Sequence, residues 1–172
     1  MNRRQASKAL LKGQTRLHDI TAPNGMEVIV SSYWIVPKAW LDASVLGHAL
    51  LDADDVPWEN REKFFDRYLN LTPDHAEVAW PEAPFAIVDD PDPAPLYLWS
   101  VRDRLSAVRS DWFDAIDALS VAFNGDLFVW AKNYTQPLQF ADADENVVAV
   151  VMGVIPPDYW AKDLAEFVDG LS

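Results

Sequence analysis

The chain has no cysteine. Disulfides, thiolate-ligated zinc and cysteine nucleophiles are therefore excluded. A chain of 172 residues does not depend on disulfides for a core, so the absence agrees with a cytoplasmic protein, the compartment expected here. Glycine is scarce: six residues, at 13, 25, 47, 125, 153 and 170. No two are close enough to form a phosphate-cradling loop, and no Gly-x-Ser-x-Gly elbow exists for a serine hydrolase. Histidine is scarcer still. His18, His48 and His75 sit in no metal-binding pattern, and a His48–Asp52 pair one helical turn apart reads as a surface contact. No catalytic residue, metal site or cofactor is expected. Long apolar runs are missing as well. The longest, Val147 to Ile155, is interrupted by Gly153 and falls far short of the ~20 residues that cross a bilayer. Met1 to Leu17 is basic but lacks the apolar stretch of a secretory signal, and it reads as an ordinary N-terminal helix.

What is present is apolar content and acid. Half the residues are hydrophobic, 12% are aromatic, and eight are Trp. That is enough to bury a real core, which disordered chains cannot do. The net charge is −13. Five of the fourteen Lys and Arg (Arg3, Arg4, Lys8, Lys12, Arg16) precede the first acid, Asp19. The remaining nine face 27 acids, so the chain from Leu17 onward carries −18. Such a field repels nucleic acid and anionic membrane and attracts basic partners, although acidity also serves solubility alone.

The pattern of residues predicts one α+β domain over 1–172, a mostly antiparallel sheet packed by four to five helices. Residues 3–12 read as a helix ended by Gly13. Residues 17–21 and 26–36 read as two strands of a hairpin turned at Ala22-Pro23-Asn24-Gly25. Helices are expected over 39–51, from Asp54 or Asp55 to about 71, from a Ser110 cap to about 123, and from Pro156-Pro157 to Gly170. Strands are expected over 85–88, 96–101, 127–131 and 147–155, with another near 138–140. Residues 72–95 hold six of the twelve Pro and six acids with no Lys or Arg, and read as a long surface excursion. No internal repeat is evident.

Three Asp clusters carry oxygen ligands: Asp52-x-Asp54-Asp55, Asp89-Asp90-Pro91-Asp92 and Asp142-x-Asp144-Glu145-Asn146. The third begins like a calcium loop, but Val147 stands where the sharp turn needs Gly and Gly153 where a bidentate Glu belongs. All three read as polar loops and helix caps. Two Asn-x-Thr sequons, at Asn70 and Asn133, read as chance matches.

One pattern remains. Asp111, Asp114 and Asp117 are spaced by three on an expected helix, and Asp163, Glu166 and Asp169 repeat the spacing on the last one. Like charges one turn apart destabilise a helix by a few tenths of a kcal/mol per pair. The functional expectation is a docking face for a basic protein, with Trp80 and Glu82 in the Pro-rich segment and Asp89, Asp90 and Asp92 beside it. The chain is then an acidic inhibitor that caps a basic, nucleic-acid-handling or toxin-like partner. Immunity proteins, antitoxins and phage anti-defence proteins share this physical style, and its sharpest form is nucleic-acid mimicry. Neither direct nucleic-acid binding nor membrane binding is expected. The alternatives are an enzyme using carboxylates, with Asp89, Asp90 and Asp142 as first suspects and a divalent metal as an aid, and a structural or chaperone subunit that oligomerises through exposed aromatics.

Overall fold

The computed structural model of the chain describes residues 1–54, 77–78, 86–88, 96–101, 104–125, 127–131 and 137–153. Within them the chain is α+β, as expected. The helix α1 (Arg3–Leu11) opens on a capping box: the Asn2 side chain accepts from the Gln5 N–H, and the Gln5 side chain accepts from the Asn2 N–H. Three short strands follow, β1 (His18–Thr21), β2 (Glu27–Val30) and β3 (Trp34–Pro37). After a 3-10 turn at Lys38–Trp40 comes α2 (Ala43–Asp52). The second half holds β4 (Glu77–Val78), β5 (Ala86–Val88), β6 (Leu96–Val101), β7 (Arg104–Arg109), α3 (Ser110–Asn124), β8 (Phe128–Ala131), β9 (Leu138–Ala141) and β10 (Val147–Val151).

Seven strands form one antiparallel sheet in the order β1-β2-β3-β10-β9-β8-β4, and β5-β6-β7 form a second. The main sheet therefore joins a meander from each half of the chain where β3 meets β10. Ile29, Val36, Val151 and Phe140 face a core shared with α1 and α3; Trp34, Leu10, Ile116 and Leu119 complete it. Burying each such large side chain stabilises the fold by about 1.5–3 kcal/mol. Val28, Val30, Ile35 and Val150, which alternate with these along the strands, form a separate cluster on the opposite face.

Several expectations are corrected. The single strand 26–36 is two strands. Ser31 is the reason: its hydroxyl accepts from the Tyr33 and Trp34 N–H groups, both at 3.0 Å, and its own N–H bonds the Trp34 carbonyl, folding the chain back on itself. The helix expected from Ala39 starts at Ala43, because the Asp42 carboxylate caps the Ser44 and Val45 N–H groups. Ser110 is the first residue of α3, not its cap, and β7 was not expected. The described residues contain three α-helices. The further helices expected over 55–71 and 157–170, and most of the excursion at 72–95, lie outside the described residues. No described helix is long and apolar enough to cross a membrane.

Two hairpins close identically, 120 residues apart. Ala22 N–H bonds the Met26 carbonyl and Gly25 N–H bonds the Ala22 carbonyl; Asp142, Asn146 and Glu145 repeat both bonds. Gly25 at φ 85° and Glu145 at φ 64° take the left-handed position that such a turn requires. No repeat was read in the sequence, because the strands around these turns share little beyond apolar character.

Candidate partner-binding face

The site expected from the acid spacing rests on α3. Its fifteen residues bury Trp112, Ala115, Ile116 and Leu119 on one side. With 100° of rotation per residue, the opposite side carries Asp114, Asp117 and Val121, all exposed. The three-residue spacing thus puts Asp114 and Asp117 on an outward line, while Asp111 is only partly exposed.

The carboxylates are not equivalent. Asp111 is half-buried and held by Arg109 in a two-pronged pair, Nε to Oδ1 at 3.0 Å and Nη2 to Oδ2 at 2.6 Å. The same Oδ1 accepts the Trp112 N–H, so Asp111 serves the first turn of its own helix. The Arg109 guanidinium lies 3.8 Å from the centre of the Trp112 ring, and Tyr33, 48% exposed, stacks on that ring at 5.0 Å. Trp112 itself is buried, and its indole N–H has no hydrogen-bond partner among the described residues. Arg109 stands two residues before Asp111, so this pair had a signal in the sequence that the reading of one carboxylate row passed over.

Asp114 receives the Tyr97 hydroxyl at 2.9 Å on both oxygens. Burial raises the Asp114 carboxyl, the Tyr97 bond opposes that, and neighbouring Asp111 adds to the rise. Tyr97 is pushed up to about 12, first by burial and then by the Asp114 bond and charge. Asp117 is exposed, and its carbonyl accepts the Ser120 hydroxyl at 2.8 Å. Asp111 is therefore largely neutralised by Arg109, and Asp114 and Asp117 are the carboxylates of the row that lie on the exposed side of α3.

Asp163, Glu166 and Asp169, together with Trp80, Glu82, Asp89, Asp90 and Asp92, lie outside the described residues. The described part of the enzyme alternative is Asp142. Its carboxylate is turned onto its own loop, Oδ1 accepting from the Asp144 and Asn146 N–H groups at 3.0 and 2.9 Å. Among the described residues no three His, Asp or Glu side chains come together as metal ligands. The basic N-terminus is also partly committed: Arg3 donates to the carbonyls of Ala39, Trp40 and Leu41 and lies over the Phe123 ring. No protein-family model matches the chain, and neither a curated protein nor a solved structure is detectably similar to it.

Proposed function

We propose that the chain is an acidic protein-binding inhibitor whose α3 face docks on a basic, nucleic-acid-handling or toxin-like protein. The observation that carries this reading is the outward line of Asp114 and Asp117, opposite the buried side of α3, in a chain whose residues from 17 onward sum to −18. Complementary charge speeds encounter and sets register, and the half-exposed Tyr33, held against Trp112 at the first turn of α3, is an ordered aromatic available to a partner that reaches the start of the helix. A partner of this kind binds phosphates with the same cationic surface, so capture and nucleic-acid binding exclude each other.

The test is an affinity pull-down from the native host and its competitors, washed at about 0.05 M and about 0.5 M salt. One basic protein retained at low salt is expected. Asp114→Asn/Asp117→Asn should weaken its retention about tenfold or more, while Asp111→Asn, already paired with Arg109, should change it little. Retention that ignores both salt and the double substitution would reject the reading.

A further inference from the structure

Two Asn-Gly pairs occur in the chain, Asn24-Gly25 and Asn124-Gly125. All four residues are exposed, and the glycines take positive φ, 85° and 74°. A Cβ built on either glycine would meet nothing within 4 Å. In such a pair the glycine nitrogen can attack the side-chain amide of the asparagine before it, because no side chain shields that nitrogen. As dipeptides the two are equivalent. Their surroundings are not.

Asn24 lies at the tip of the β1–β2 hairpin, and its hydrogen bonds are local. Its Oδ1 accepts the Met26 N–H at 3.0 Å, and the Gly25 N–H bonds the Ala22 carbonyl at 2.9 Å. The ring of atoms closed by the Met26 bond contains both Asn24 Cγ and the Gly25 nitrogen. Met26 N–H is also a donor for the negative charge that develops on Oδ1 when Cγ is attacked. The Gly25–Ala22 bond has to open first, but one exposed hydrogen bond slows the step by about tenfold at most. Asn124, the last residue of α3, is tied across the fold. Its Oδ1 accepts the Trp40 indole N–H at 2.9 Å, and Trp40 is buried, with its carbonyl held by Arg3. Turning the Asn124 amide onto Gly125 breaks this bond and leaves a buried donor unpaired, which slows the reaction by about tenfold to a hundredfold.

We infer that Asn24 is a site of spontaneous deamidation in the folded chain, and that the Trp40 indole protects Asn124 from the same reaction. The Gly25 nitrogen gives its proton to solvent base and attacks Asn24 Cγ. The N–Cγ bond forms, the Cγ–Nδ2 bond breaks, and the departing nitrogen takes a proton from solvent and leaves as ammonia. Water then adds to one of the two carbonyls of the resulting five-membered imide ring and opens it. Opening at Cγ gives aspartate. Opening at the backbone carbonyl gives isoaspartate, whose main chain runs through Cβ and Cγ. Either product replaces a neutral amide with a carboxylate and takes the net charge from −13 to −14. Isoaspartate also lengthens, by one methylene, the turn that sets Thr21 opposite Glu27. The site is independent of the basic partner proposed above.

The experiment is incubation of the whole chain for several weeks in mildly alkaline buffer, folded and in concentrated urea, followed by tryptic peptide mapping. The peptides 17–38 and 110–132 each contain one Asn and no Gln, so a gain of one mass unit assigns the site. In the folded chain Asn24 should convert about tenfold or more faster than Asn124. In urea the two should convert at similar rates. Trp40→Phe, which removes the indole donor, should raise Asn124 conversion severalfold while Asn24 in the same molecules is unchanged, which separates loss of the bond from general loosening. Far-ultraviolet circular dichroism checks that this variant is folded, and the wild-type comparison does not depend on it. An Asn124 that converts as fast as Asn24 in the folded chain, an Asn24 that converts only in urea, or a lead of Asn24 that persists in urea would each overturn the inference. A folded Trp40→Phe chain with Asn124 still protected would overturn the role given to Trp40.

Discussion

Tyr97 sits on β6 and reaches across to α3, where its hydroxyl bonds Asp114 and its ring meets Phe113 edge-on. Its hydrogen bond is worth about 1 kcal/mol or somewhat more, because the acceptor is charged. It also sets a pH dependence. The folded-state pKa of Tyr97, about 12, lies above its ordinary value of 10.0. A raised pKa means that the stability is fully present below the ordinary value and is lost as the pH rises through the folded one. The expected result is a loss of stability between pH 10 and about 12, measured by urea denaturation and absent in Tyr97→Phe. Ultraviolet titration should show one of the five tyrosines ionising about two units late, and that transition should vanish in the same variant. A Tyr97 that titrates at its ordinary value would mean that the hydroxyl is neither buried nor held against Asp114. Neither partner of this bond could be read from the sequence. They are 17 residues apart, and the β6–β7 register, which sets Tyr97 opposite Val108 and leads directly into α3, brings them together.

Among the elements, the two equivalent hairpins give a paired prediction. Both need one residue in the left-handed region, and only one of them has glycine there. Gly25→Ala should destabilise the fold by about 1 kcal/mol. Glu145→Gly should do the reverse, stabilising by about 0.5–1 kcal/mol once left-handed strain is relieved and against the entropy that glycine loses on folding. Urea midpoints of the two variants moving in opposite directions would establish that the turns are equivalent; Glu145→Gly moving down would show that Glu145 holds the turn by other means. The strands beside these turns were mostly legible. Leu96–Val101 was bounded as observed, and 127–131, 138–140 and 147–155 were placed within a few residues, because β-branched and aromatic residues concentrate there. Two failures have definite causes. β7 reads Arg-Leu-Ser-Ala-Val-Arg, a segment with little strand preference that is held by its full register with β6. The 26–36 strand looked continuous because Ser31-Ser32 lies between two apolar runs, and only the Ser31 hydroxyl bonds reveal the turn.

For the whole molecule, charge is the organising quantity. The acid spacing on α3 was legible and its outward direction followed from helix geometry, whereas the Arg109 and Tyr97 partners that make the three carboxylates unequal came from tertiary structure. The same charge predicts how the fold responds to salt. From residue 17 onward the chain carries −18, and α1, with its outward cations, packs beside α3. Self-repulsion of the acidic body destabilises the compact state, and the α1 cations offset part of it by attraction over distances longer than an ion pair. Such attraction is cut off when the Debye length shrinks from about 30 Å at 0.01 M salt to about 3 Å at 1 M. Lys8→Gln/Lys12→Gln, which takes the net charge from −13 to −15, should therefore destabilise the monomer by about 0.5–1 kcal/mol at low salt and by almost nothing at 1 M. The measurement is thermal unfolding of both chains at about 0.01 M and about 1 M salt. An equal loss at every salt concentration would mean that Lys8 and Lys12 act through contacts of their methylene stems on α1 instead. A loss confined to low salt would make α1 the counter-charge of its own acidic body.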